Sequence, residues 1–306
     1  MGTPSFAVPS LEALIRAGHR ILLVVTQPDR PAGRGKQVQA PPVKVAAQAH
    51  GLPIMQPGRL RREPEAIARI AELRPDLLCV VAFGQLLPQE VLDIPARGSL
   101  NVHGSLLPAY RGAGPIQWAL IKGEQQTGVT TMLMDAGMDT GAMLLAEPMA
   151  IAPGDTSASL SDRMAERGAD LLVKTIDAWL ADKIVPRPQP SEGVSVAPLL
   201  RKSDGILDWR QPAAAIHDRI RGLTPWPGAQ TTLAGAPLKI LASRLGPGQA
   251  GSSPGTILAL GPEGWLVQTG EGTLWLATVQ VPGRRPQDAA EAAKGLRTLG
   301  PGTVLG

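Results

Sequence analysis

The sequence predicts a two-part chain: an α/β unit built on a mostly parallel sheet, followed by a small β-barrel, most simply an OB-like one. Three observations carry this. Over the first 180 residues or so, short apolar or β-branched runs alternate with helix-like segments, the pattern of a parallel sheet covered on both faces. From Lys183 the stretch IVPRPQPSEGVSVAP has four prolines and no helical period, which reads as an extended linker. Beyond Asp204, short strands joined by glycine turns fill about 100 residues, as in small barrels. A length of 306 residues is enough for two cores. The expected division is 1–182 for the first domain, 183–203 for the linker and 204–306 for the second domain.

In chain order, ILLVVT (21–26), LLCVVA (77–82), SLNVHG (99–104) and VTTMLM (129–134) are the strands of the first domain, each bounded by turn residues. PPVKVAAQAHG and EPEAIARIAELRP lie between them as helices, the second placing Ile67, Ile70, Ala71 and Leu73 on one face. A longer helix runs from about Ser157 to Asp182. Its stripe of Leu160, Met164, Leu171, Leu172, Ile176, Trp179 and Leu180 is a core-packing face. A further helix around AAAIHDRIRGLTPWPG stops at Pro-Trp-Pro-Gly, and AQTTL, LKILAS, TILAL, WLVQT and TLWLATVQV supply the strands of the second domain.

Composition excludes several classes of protein. Hydrophobic residues make up 43% and charged residues 18%, yet no apolar run approaches the roughly 18 residues that cross a bilayer, so no membrane span is expected. The opening MGTPSFAVPSL lacks the basic and apolar regions of a signal peptide, and the single Cys79 sits in an apolar run as a core thiol. A cytoplasmic protein is therefore expected. The net charge of +4 says little, but its distribution says more: from Arg30 to Arg62 seven basic residues occur without an acidic one. Such a patch is either a footprint for a polyanion or a solvated basic face.

The chemistry concentrates in NVHGSLLPAYRG, residues 101–112. On a strand Asn101 and His103 point to the same face, at the carboxyl end where ligands of open α/β sheets bind. An amide that donates to a developing oxyanion and an imidazole that moves a proton suit acyl transfer to an amine. No G-x-S-x-G marks an activated serine, and Ser105 is a poor nucleophile candidate. The missing carboxylate is best supplied by Asp139 in MDAGMDTG, with Asp135 the runner-up and an ordinary Asp-Gly turn the competing reading. Gly137 and Gly141 would let backbone approach a flat ligand. His19, His50 and His217 have no neighbours at metal-ligand spacing, so no metal is expected. PAGRGK lacks the spacing of a phosphate loop.

NVHGSLLPAYRGAGPIQWAL and GMDTG together resemble the folate-dependent formyltransferases, and VVAFGQLLP, LTPWPG and PGTVLG extend the resemblance over nearly the whole chain. The resemblance implies a Rossmann-like formyltransferase domain, a catalytic trio of Asn101, His103 and Asp139, and 10-formyltetrahydrofolate as co-substrate without a metal. It further implies that Ser105, Leu106, Leu107 and Pro108 lie against the folate, with Phe83, Gln85, Leu86 and Leu87 lining the pterin pocket. TQPDRPAGRGK is similar to the basic loop of those members that formylate initiator methionyl-tRNA, which implies that tRNA as partner through Arg30, Arg34 and Lys36. Lys202, Arg219, Arg221, Arg284 or Arg285 of the barrel would meet the tRNA stem. A monomer is expected. Two other readings stand beside this one: a formyltransferase for another amine, such as an amino-sugar nucleotide, and a non-catalytic RNA-binding protein. The resemblance also implies an apolar first strand ahead of Gly2-Thr3-Pro4, so a natural start roughly six to nine residues upstream is expected.

Overall fold

The structure is a computed structural model that describes residues 1–32, 37–248, 251–296 and 299–306. The chain divides into two compact units. The first comprises Met1–Gly112, Gln126–Ala150 and Ser161–Ala197, the second Ala113–Gln125, Ile151–Leu160 and Pro198–Gly306.

The elements run α1 (Val8–Arg16), β1 (Val24–Val25), β2 (Arg30–Ala32), β3 (Gln37–Gln39), α2 (Pro42–Ala49), β4 (Ile54–Met55), α3 (Pro64–Glu72), β5 (Leu78–Val80), α4 (Gln89–Leu92), β6 (Ser99–His103), α5 (Pro115–Ile121), β7 (Gln126–Leu133), β8 (Met143–Ala150) and α6 (Ser157–Leu180). Helices α1, α2, α3 and α5 carry a proline in their first turn, where the missing N–H costs nothing and the fixed φ favours the helix. Most of the α6 stripe is buried as its spacing predicts, with Leu160, Met164, Leu171, Leu172 and Ile176 each at most 4% exposed, but Trp179 is half-buried and Leu180, the last residue of the helix, is 41% exposed.

In the first unit β1 pairs with β4 and β5 with β6, both parallel. Beyond β6 the sheet turns antiparallel, β6 with β7 and β7 with β8. The β7–β8 connection is a short loop without a crossover helix, and such a connection joins antiparallel neighbours. Of the expected strand 21–26 only Val24–Val25 joins a ladder. Met1 and Gly2 link the two parts of this region: the Gly2 N–H donates to the Val25 carbonyl (3.0 Å), the Val81 N–H to the Met1 carbonyl (2.9 Å), and the Met1 amine to the Cys79 carbonyl (2.6 Å). Behind them lies a cavity of about 250 Å³ walled by Ile21, Leu23, Leu77, Leu172 and Ile176. Burial pushes the Cys79 thiol up to about 11, which leaves it an inert core group.

The second unit continues with α7 (Ala213–Leu223), β9 (Ala229–Leu233), β10 (Ala236–Leu245), β11 (Ile257–Gly261), β12 (Gly264–Gln268), β13 (Thr273–Gln280), β14 (Gln287–Asp288) and α8 (Ala289–Lys294). Its antiparallel sheet has the order β11-β12-β13-β10-β9, with β14 on β13. Single bridges from the C-terminal segment reach both ends of that order, Leu305 to Leu233 of β9 and Val304 to Thr256 beside β11. The last residues thus draw the sheet round towards a barrel. Trp265 fills the interior at 0% exposure, and its indole N–H donates to the Ala289 carbonyl (2.6 Å), which satisfies the one polar atom it buries. Among the described residues no helix is long and apolar enough to cross a membrane.

Candidate active site

Strand β6 delivers both catalytic candidates. Leu100 and Val102 point into the core, and the alternation of a strand puts Asn101 and His103 together on the other face. His103 is only 5% exposed. Directly after it the chain turns, and the turn is stapled to β7 by Thr130, which stands opposite His103 in the ladder. The Thr130 hydroxyl donates to the Ser105 carbonyl (2.7 Å) and accepts from the Leu107 N–H (3.2 Å). Ser105 is fully buried and its hydroxyl donates to the Ala109 carbonyl (2.6 Å), so it holds the turn and is no nucleophile.

His103 Nε2 lies 2.9 Å from the Tyr110 carbonyl. A carbonyl can only accept, so Nε2 carries a proton, and in the neutral form of the ring Nδ1 is the nitrogen that presents a lone pair. Nδ1 faces Asp139 Oδ2 at 3.6 Å, which is too long for a direct hydrogen bond. In that form two acceptors lie side by side at a distance into which no third atom fits, so a proton-bearing group that meets them approaches from beside the line that joins them. The Gly112 N–H donates to Asp139 Oδ2 (2.8 Å) and fixes the carboxylate, while the Asp139 backbone sits at φ +54°. Asp135 is exposed and its Oδ1 accepts from the Gly137 N–H (3.0 Å) and the Thr140 hydroxyl (2.7 Å), which makes it the organiser of the loop. Gly141 is required by the loop itself: a Cβ there would fall on the Leu133 carbonyl. Asn101 donates through Nδ2 to the Val80 carbonyl (3.2 Å), and its buried Oδ1 has no protein partner. That orphaned amide oxygen leaves hydrogen-bonding capacity for a ligand.

The residues expected around a folate divide in two. Leu106 and Pro108 are half-buried and Leu107 is buried on the stapled turn beside His103. Farther back, Phe83 and Leu87 belong to the core, Leu86 is 67% exposed, and the Gln85 side chain turns away to accept from the Leu60 N–H (2.8 Å) and donate to the Pro57 carbonyl (3.1 Å). Arg30 is exposed in β2, paired with Gln39 of β3, whereas Arg34 and Lys36 lie outside the described residues. In the second unit Arg219 donates to the Asp204 carbonyl (2.6 Å). Arg221 departs from its expectation as a tRNA contact: it is 8% exposed and pairs with Asp218 at 2.7 Å, which leaves it no open face for a polyanion.

Sequence reasoning missed the supports of the site. Tyr110, Gly112 and Thr130 lie in or opposite the motif, but their part is played by backbone groups or by a register that no spacing reveals. Gln189 and Ser195 come from the segment read as a linker. The Ser195 hydroxyl accepts from the Tyr110 N–H (2.9 Å), its carbonyl accepts from the Arg111 N–H (2.9 Å), and Gln189 contacts both Arg111 and the Asp139 loop. Among the described residues no group of three or more His, Cys, Asp or Glu side chains gathers at metal-binding spacing.

Comparison with known proteins bears on this arrangement. The family described as Formyl transferase matches residues 1–176, and the one described as Formyl transferase, C-terminal domain, matches residues 199–297. A methionyl-tRNA formyltransferase of Trichlorobacter lovleyi is 49% identical over 305 residues, covering 100% of this chain and 95% of the relative. One of Solibacter usitatus is 51% identical over 297 residues, covering 97% and 94%. Among solved structures, an N-formyltransferase of Helicobacter canadensis in complex with folinic acid and dTDP-3-aminofucose aligns with a TM-score of 0.66 at 18% identity, over 89% of this chain and 96% of that one. At that identity the likeness speaks for the fold.

Proposed function

The chain belongs to the formyl transferase family, and we propose that it transfers a formyl group from 10-formyltetrahydrofolate to the α-amino group of initiator methionyl-tRNA. The observation that carries the chemistry is the confrontation of His103 Nδ1 and Asp139 Oδ2 across 3.6 Å, two acceptors that lack a proton between them. An amine that attacks a carbonyl acquires positive charge and must lose a proton. His103 Nδ1 takes that proton and Asp139 stabilises the imidazolium so formed; as the bond between the formyl carbon and N10 breaks, the same proton passes to N10, which leaves tetrahydrofolate and a neutral imidazole. Asn101 stands on the same strand face, where the Nδ2 hydrogen not given to the Val80 carbonyl donates to the formyl oxygen as negative charge develops on it.

The folate donor supplies the formyl carbon. The donor set suits it: an unpartnered amide oxygen on Asn101 for polar recognition, and exposed or half-buried Leu86, Leu106 and Pro108 for the flat apolar faces of a heterocycle. Phe83 and Leu87 back that wall from the core, Gln85 pins its loop, and Ser105 and Leu107 shape the turn from below. Arg30, Arg34 and Lys36 hold the acceptor stem of the tRNA by its phosphates, which is sequence-independent attraction and falls with salt. On this reading the protein works as a monomer in the cytoplasm.

The test is to incubate the protein with 10-formyltetrahydrofolate and methionyl-tRNA, or with an amino-sugar nucleotide, and to quantify N-formyl product. Formyl-methionyl-tRNA is expected and formyl-sugar is not. Formylation of the sugar alone would move the activity to another amine, and binding of tRNA without any product would leave an RNA-binding protein.

A further inference from the structure

We propose that Gln189 is a positioning residue for formyl transfer, holding Asp139 at its working distance from His103. The proposal rests on the reading of Asp139 as the partner of His103 in proton transfer. Gln189 lies in the proline-rich segment after α6, and its side-chain amide is engaged on every side. Nε2 donates to the Asp139 carbonyl (2.8 Å) and to the Gly141 carbonyl (2.9 Å). Oε1 accepts from Nε (2.9 Å) and Nη2 (2.7 Å) of Arg111.

These four bonds meet at the two devices that fix the carboxylate. Asp139 sits at φ +54°, a left-handed conformation that a residue with a Cβ rarely adopts unless its surroundings impose it. Gln189 imposes it by gripping the carbonyls of Asp139 and Gly141, on both sides of Thr140. At the other end Arg111 immediately precedes Gly112, whose N–H holds Asp139 Oδ2 at 2.8 Å. One amide therefore ties the backbone of Asp139 to the loop that grips its side chain.

Gln189 is itself held firmly. Arg187, two residues before it, exchanges both backbone hydrogen bonds with Met143 at 2.8 Å each, Ser195 and Ala197 bond Arg111 through the backbone (2.9 and 2.7 Å), and Pro188 and Pro190 restrict the chain on either side. A side chain so mounted loses little freedom when it makes its bonds. With the reacting groups only 3.6 Å apart, a shift of about 1 Å in Asp139 is enough to cost on the order of 10²-fold in rate.

The experiment uses Gln189→Glu and Gln189→Ala, each in the parent and in an Asp139→Asn background. Glutamate keeps the acceptor for Arg111 but cannot donate to the two carbonyls. In the parent, Gln189→Glu is expected to lower single-turnover kcat by roughly 30- to 100-fold while KM for folate and for tRNA stays within about twofold. In the Asp139→Asn background the same change is expected to cost less than about threefold, because the group it positions is already gone. Should Gln189→Ala fail to fold, the Glu variant and an isosteric Gln189→Met decide. Unchanged kcat in the parent, or the same fold-loss in both backgrounds, overturns the proposal and leaves Gln189 a general structural brace. The functional reading fails separately, if the parent transfers no formyl group or if Asp139→Asn alone is as fast as the parent.

Discussion

Asp139→Asn isolates the charge in the site from its shape. Asparagine is isosteric, its Oδ1 can still accept from the Gly112 N–H, and the loop organised by Asp135 and Thr140 is untouched. What disappears is the negative charge 3.6 Å from His103 Nδ1. At an effective dielectric of about 20, two unit charges at that distance attract by about 4 to 5 kcal/mol. Asp139 is 19% exposed, so water screens part of this, and a loss of roughly 3 kcal/mol is a fair figure for the proton-bearing state. At about 1.4 kcal/mol per decade this predicts a fall of about 10²-fold in kcat. The assay is single-turnover formylation of methionyl-tRNA, with thermal unfolding as the control for folding. A kcat within fivefold of the parent, or a raised KM at unchanged kcat, would refute the assignment of Asp139 to proton transfer.

Three other expectations follow from separate parts of the molecule. Thr130→Val leaves the buried Ser105 carbonyl and Leu107 N–H without their hydroxyl partner; a loss of about 2 kcal/mol in denaturant unfolding is expected, together with weaker folate binding in a fluorescence titration. Burial, more than its charged neighbours, pushes the His217 imidazole below its ordinary value of 6.5, although Nδ1 keeps a hydrogen bond to Ser243 (3.0 Å). The folded chain thus takes this proton less readily than the unfolded one, so stability is full above the ordinary value and is lost as pH falls below it; His217→Gln should flatten that decline in urea unfolding series between about pH 7.5 and 5.5. Arg30→Ala and Arg34→Ala should each weaken tRNA binding and lower the slope of log affinity against log salt by about 1, leaving folate binding unaltered in a parallel titration.

The elements with strong periodicity could be read from the sequence alone. The α6 stripe buries the residues that its spacing selects up to Ile176 and fails only at the frayed end, where Leu180 is exposed, and the period of two in β6 puts Asn101 and His103 on one face. Asp139 could be chosen over Asp135 only weakly from the chain, because what separates them is the Gly112 N–H, a backbone group 27 positions away. Gln189 was hidden for a different reason. Extended proline-rich chain has no periodicity to show which side chains face a neighbour, so PRPQP reads as linker even though its glutamine bonds the Asp139 loop. Among the strands, Ile21–Leu23 have the composition of a central strand, yet they line a cavity and only Val24 and Val25 find a ladder partner. Apolar composition records the wish to be buried, and pairing depends on the neighbour. The role of the last residues in joining the ends of the second sheet is likewise a matter of long-range contact that PGTVLG does not disclose.

The β6 imidazole is assigned the proton transfer, and the basic residues from Arg30 to Lys36 the binding of tRNA. His103→Ala tests this most directly when formyl transfer and equilibrium tRNA binding are measured on the same preparation. Transfer is expected to fall by on the order of 10³-fold while tRNA affinity and its salt dependence stay within about twofold. Transfer within tenfold of the parent would contradict it.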